Sequence, residues 1–241
     1  MDTLDKKNKD FNFVQVASIE TLGALDGPGL RTILFLQGCP LRCKYCHNAD
    51  MLPFKGGTKW AISDLIKKCE QYKSFYGTNG GVTISGGEPL AQGEATYNLI
   101  VALQKKGIHV ALDTSGFPYS EKLIAAADLI LLDVKHTEPE GYLQLTSVPI
   151  DSMLKTLDYI KKIKKPFWVR QVTIPTITDS DEQVLKLKEL SQGAIKIELL
   201  AYHKMGIKKW KAQGIPYPLD GVPAATAEIM DRARAIINYN S

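Results

Sequence analysis

From residue 31 onward, short apolar runs rich in β-branched residues alternate with longer amphipathic ones. The short runs are Thr32–Leu36, Val82–Ser85, His109–Asp113, Leu129–Val134, Phe167–Thr173 and Lys196–Leu200. Runs this short and apolar predict buried strands. Helical periodicity fills the gaps near 62–75, 93–106, 119–126, 151–164 and 180–191, with a last stretch at 224–238. Ile62, Leu65, Ile66, Cys69 and Tyr72 lie on one helical stripe, as do Leu154, Leu157, Ile160 and Ile163. Ser63 followed by Asp64, and Asp179-Ser180 followed by acids, mark helix starts. Gly107 and Gly193 stand where helices should stop.

Six strand–helix units predict an α/β fold with a parallel sheet. Two closures satisfy the pattern, an open doubly wound sheet and a barrel. In both, ligands bind at the C-terminal ends of the strands. The polar chemistry of this sequence gathers there. Gly38-Cys39 follows the first strand and Gly86-Gly87-Glu88 the second. The third ends Asp113-Thr114 and the fourth Asp133-Val134-Lys135; the fifth carries Arg170, and Tyr202-His203 follows the sixth. Residues 1–12 are expected to form a flexible tail, 13–241 one domain, and 203–223 a long loop over the site.

Composition narrows the function. With 44% hydrophobic residues in 241, the chain can bury a sizeable core. Thirty basic and 26 acidic residues leave a net charge of +4, without the imbalance of a phosphate binder. No nucleic-acid partner is expected, and the Lys-rich stretches 155–165 and 204–211 read as solvated faces. The charged N-terminal segment lacks the apolar core of a secretory signal. No apolar run approaches the roughly 20 residues that span a bilayer. A cytoplasmic, reducing location is therefore expected, where clustered cysteines hold metals rather than disulfides.

Cys39-x3-Cys43-x2-Cys46 admits three readings. A structural zinc site wants four ligands, and His47 adjoins Cys46 too closely to complete one. Cys43-Lys44-Tyr45-Cys46-His47 matches the c-type haem attachment pattern, but that chemistry needs export and leaves Cys39 idle. A cubane iron–sulfur cluster on three thiolates leaves one iron open to bind a small molecule. Cys69, on an apolar helix stripe, reads as a buried core thiol. His109 and His136 read as packed or surface residues.

CPLRCKYC resembles the CxxxCxxC signature of radical S-adenosylmethionine enzymes. The surrounding DGPGLRTILFLQGCPLRCKYCHNAD is similar to the glycyl-radical-enzyme activating group. SGGEP, LDTSG, LLDVK and LAYH follow in order at strand ends, and the resemblance runs from Asp26 to Asp220. It implies a partial (β/α)6 TIM-like barrel of parallel strands with an open lateral side. It implies a [4Fe–4S] cluster on Cys39, Cys43 and Cys46, with S-adenosyl-L-methionine on the open iron. Gly86, Gly87 and Glu88 would then meet the methionine part, with Glu88 on its amino group. Tyr45, Cys46 and His47 would lie by the adenine, and Asp133, Val134 and Lys135 would help hold the cofactor. Asp113, Thr114 and Asp133 would surround a K⁺ or Na⁺ ion. Arg170, with Asp26, and His203 would stand at the rim, where cofactor and peptide meet.

The implied reaction is reductive cleavage of S-adenosylmethionine and abstraction of hydrogen from a backbone glycine of a partner enzyme. The electron would come from a flavodoxin- or ferredoxin-like donor. The partner expected is the glycyl radical loop of a pyruvate formate-lyase, met by a monomer. Only 39 residues separate Cys46 from Gly86, with one cysteine among them, which leaves no second cluster to build. A different glycyl radical partner, or a non-catalytic zinc-binding interaction module, are the competing readings. Ala201 and Thr176 depart from residues common in the group and bear on loop geometry.

Overall fold

The computed structural model describes residues 11–238. The expected tail at 1–12 lies outside the described residues as far as residue 10; Phe11 and Asn12 form a turn into the first strand. Eight strands follow: β1 (Phe13–Gly23), β2 (Arg31–Leu36), β3 (Thr58–Ala61), β4 (Gly81–Gly86), β5 (Val110–Thr114), β6 (Leu129–Asp133), β7 (Phe167–Thr173) and β8 (Lys196–Ala201). Eight helices accompany them: α1 (Ile62–Glu70), α2 (Glu94–Gln104), α3 (Glu121–Ala126), α4 (Pro139–Thr146), α5 (Asp151–Lys162), α6 (Asp181–Leu190), α7 (Ile207–Ala212) and α8 (Ala227–Asn238).

The strands form one sheet in the order β3-β1-β2-β4-β5-β6-β7-β8. The six strands expected from the sequence are β2 and β4 to β8, and each pairs in parallel with the next. Their residues Ile33, Leu34, Val82, Ile84, Val110, Leu112, Ile130, Leu132 and Val169 are buried. Helices cover the outside of β2 and β4 to β7 and side chains fill the inside, which is why these runs are mostly apolar without alternation; β8, at the edge, is half-buried or exposed. Among the described residues β3 and β8 are the two edges and do not pair, so the sheet is a partial barrel with an open side.

The all-parallel expectation needs one correction. β1 lies between β2 and β3 and runs antiparallel to both. Only Val14 and Val16 of β1 are buried, and the four residues of β3 are exposed or half-buried. Such partly exposed strands carry a weak apolar signal. Two helices were also unexpected. α4 lies in the connection from β6, and α7 lies inside the 203–223 segment expected as loop. Ser63 does not cap α1, whose N-cap is Ala61 with no side-chain bond. Ser180 does cap α6, accepting from the Gln183 N–H at 3.2 Å.

Candidate active site

The connection from β2 to β4 carries the cysteines. It leaves the sheet at Gln37, whose side-chain amide donates to the carbonyls of Asp50 (3.1 Å) and Pro53 (2.7 Å). The N–H groups of Gly38 and Cys39 donate to the carbonyls of Met51 and Leu52, closing residues 38–52 into a loop. Inside it, Arg42 Nη1 donates to the carbonyls of Cys39 (2.7 Å) and Leu41 (2.8 Å), and the Cys46 N–H to that of Cys43.

The loop is pressed against the end of β4. Gly86 has φ +110°, and a Cβ there would stand 2.3 Å from the Leu36 nitrogen. A Cβ on Gly87 would stand 2.3 Å from the Gly38 carbonyl oxygen. Only two glycines let these backbones meet. The Gly87 and Glu88 N–H groups then donate to the carbonyls of Leu36 (2.8 Å) and Gly38 (2.9 Å).

A cavity of about 270 Å³ opens between this loop and the strand ends. Cys39, Cys43, Tyr45, Cys46, His47, Gly86, Gly87, Glu88, Asp113, Thr114, Asp133, Lys135 and Arg170, all expected at the site, line it. Two expected residues do not. The Val134 side chain is in the core, while its N–H donates to the Arg170 carbonyl at 2.9 Å. His203 stands behind His47: the rings stack at 4.1 Å, and His47 Nε2 lies 3.1 Å from the His203 carbonyl oxygen.

The cavity is lined by charged groups. Burial pushes the Asp113 carboxyl up to about 6, against the pull of Arg170 and with the repulsion of Asp133. Its Oδ2 accepts from Ser85 Oγ at 2.6 Å. Its Oδ1 lies 3.5 Å from Arg170 Nη1 but makes no hydrogen bond. Arg170 also faces Asp26 Oδ1 (3.4 Å) and Glu198 Oε2 (3.0 Å). Burial alone would lower its pKa, but the carboxylates of Asp113, Asp133, Asp26 and Glu198 outweigh that and raise it. Lys135 Nζ sits 2.6 Å from Asp133 Oδ2. Burial opposes its charge, and the Asp133 carboxylate, the foremost opposing group, outweighs burial and keeps its pKa raised. Burial lowers His47, so its ring is neutral at pH 7.

Glu88 differs from expectation. Its Oε1 accepts from Thr114 Oγ1 (2.5 Å) and the Leu90 N–H (3.1 Å); its Oε2 accepts from the Ser115 N–H (2.9 Å) and Oγ (2.6 Å). The carboxylate staples the end of β4 to that of β5 and is not free for an amino group. Thr114 is engaged by the same staple, its hydroxyl also accepting from the Gly116 N–H. Ser85, Ser115 and Glu198 received no role from the sequence. Ser85 and Ser115 stand inside the quoted SGGEP and LDTSG runs, and Glu198 pairs in register with Arg170.

The donor set suits a three-thiolate cluster. All four cysteines are free, and only Cys39, Cys43 and Cys46 face the cavity. Burial raises all three thiols, Cys43 to about 12, so metal binding would displace protons. Among the described residues no three His, Cys, Asp or Glu side chains are gathered to hold one metal ion. Cys69 is fully buried on α1, away from this cavity, as expected.

Fold and site together define a partial α/β barrel with a three-thiol loop at its mouth. The family model of the Radical SAM superfamily matches residues 33–187. The chain is 38% identical over 240 residues to a pyruvate formate-lyase-activating enzyme of Listeria monocytogenes, covering 94% of this chain and 97% of that protein. It is 38% identical over 232 residues to the pyruvate formate-lyase 1-activating enzyme of Escherichia coli, covering 92% and 94%. In fold it is similar to Streptococcus suis SuiB bound to precursor peptide SuiA, with TM-score 0.67 and 15% identity over 96% of this chain and 48% of that one. The chain belongs to the radical SAM superfamily and, within it, to the family of pyruvate formate-lyase-activating enzymes.

Proposed function

We propose that this chain activates a pyruvate formate-lyase under anaerobic conditions, by reductive cleavage of S-adenosylmethionine and removal of hydrogen from a backbone glycine of that partner. The observation that carries this reading is the meeting of Cys39, Cys43 and Cys46 with the glycine-rich end of β4 around one charged cavity. The names of the relatives support the partner. When bound, a [4Fe–4S] cluster on the three thiolates supplies the electron that splits the cofactor into methionine and a 5′-deoxyadenosyl radical, which takes the glycine hydrogen.

The chain's own residues bind and orient. The backbone of Gly86 and Gly87 receives the methionine part, and Lys135, held charged by Asp133, meets its carboxylate. Tyr45 and His47 flank the adenine, and His203 fixes the His47 ring from behind. Asp113 and Asp133, with the unbonded Asp113 Oδ1, favour a K⁺ or Na⁺ ion beside the cofactor. Arg170 and Asp26 face the incoming glycine loop, which enters by the open side between β3 and β8. The enzyme works in the cytoplasm as a monomer, and a flavodoxin- or ferredoxin-like protein brings the electron.

Anaerobic reconstitution should give about four irons per chain. With S-adenosylmethionine and dithionite, 5′-deoxyadenosine should form, and cofactor affinity should rise when K⁺ or Na⁺ replaces a bulky organic cation. One zinc and no iron would contradict the reading, and cation-independent binding would remove the ion from it.

A further inference from the structure

Within the activity proposed above, we propose that the outer face of α7 docks the electron carrier, an acidic flavodoxin-type protein. The inner face of α7 is fastened to the cysteine loop. Trp210, buried, donates from Nε1 to the Cys46 carbonyl at 2.7 Å. Lys209 Nζ reaches Asn48 Oδ1 (3.0 Å) and Asp50 Oδ1 (3.1 Å). Gly206 lies so close that a Cβ there would stand 2.9 Å from the His47 Cα. A carrier resting on the far side of this helix is one helix diameter, about 10 Å, from the Cys46 backbone. The indole N–H bond gives a short connected path across it.

Charge selects the carrier. Residues 39–50 and 203–216 hold six basic residues and one acidic residue, Asp50, which is already paired with Lys209. Lys204, Lys208 and Lys211 are exposed, and among the described residues none of them pairs with a carboxylate. Lys44, exposed on the cysteine loop, shares a surface pocket with Leu219 of the segment that follows α7. Met205, 75% exposed, adds an apolar spot between Lys204 and Lys208. An apolar spot ringed by one sign of charge suits a partner of the opposite sign. No residue of 203–216 lines the cavity, so this face stays free while the substrate loop occupies the mouth.

The step moves one electron and no atoms. The carrier's anionic flavin hydroquinone becomes the neutral semiquinone, and the thiolate-held group is reduced by one electron. Reconstituted enzyme and its K208E/K211E variant should be titrated with oxidised flavodoxin, and mixed rapidly with flavodoxin hydroquinone while semiquinone absorbance is followed. The variant should bind more weakly and accept electrons about 10-fold more slowly at low salt, with the gap closing at high salt. In parallel, dithionite should drive equal 5′-deoxyadenosine formation by both proteins. Equal binding and equal rates would overturn the docking face. So would a variant that loses glycyl radical formation with dithionite, which would assign the lysines to the substrate protein. Charge-dependent flavodoxin binding without dithionite-driven cleavage would instead contradict the proposed activity and leave the face standing.

Discussion

Glu88 accepts four hydrogen bonds from Leu90, Thr114 and Ser115, and burial still pushes its carboxyl up to about 6. Glu88→Gln keeps the size but turns an acceptor into a donor facing donors. The staple between β4 and β5 should weaken by about 2 kcal/mol, seen as a lower urea midpoint; an unchanged midpoint would show that the loop ends stand without it. The cysteines divide by position in the same way. Alanine at Cys39, Cys43 or Cys46 should abolish iron uptake and cofactor cleavage. Cys69→Ala should keep both and cost about 1 kcal/mol of stability for the lost core atom. Iron analysis and unfolding curves on the four variants separate these outcomes. The spacing of the three thiols was legible in the sequence because a local motif carries it. The staple was not, since Ser115 reaches Glu88 only once two strands lie side by side, and an acid at a strand end looks equally free or bound.

Elements show the same division. β2 and β4 to β7 were legible because strands buried on both faces leave mostly apolar runs, and the half-buried edge strand β8 because Ile197, Leu199 and Leu200 still mark it. β1, β3, α4 and α7 were not. The first two are partly exposed strands, β3 at the sheet edge and β1 next to it, and α7 is a six-residue, lysine-rich helix whose one buried residue is Trp210. That helix was expected as loop, yet it holds the third cysteine in place. Trp210→Phe keeps the ring and removes the indole N–H, leaving the Cys46 carbonyl without its partner. The bond's loss should cost about 1 kcal/mol and speed the loss of iron to a chelator; chelation at the original rate would contradict the clamp. At the other side of the loop, Gly87→Ala would drive a methyl into the Gly38 carbonyl. The β4 end and the cysteine loop should part, with S-adenosylmethionine binding lost before overall folding, as calorimetric titration and circular dichroism would report.

At the scale of the whole molecule, the sheet stops short of closure. β3 and β8 remain apart, and the charged group of Asp26, Asp113, Asp133, Lys135, Arg170 and Glu198 lies within the open barrel. Among the described residues no helix is long and apolar enough to cross a membrane. Such a shape suits a macromolecular substrate, because a loop can enter from the side while the cysteine loop covers the top. The most direct measurement is paramagnetic resonance on an anaerobic mixture of the reconstituted protein, dithionite, S-adenosylmethionine and pyruvate formate-lyase. The account predicts the doublet of a glycyl radical on the lyase, absent when Cys43→Ala replaces the protein. Abundant 5′-deoxyadenosine with no protein radical, or a radical formed only on a different partner, would contradict it.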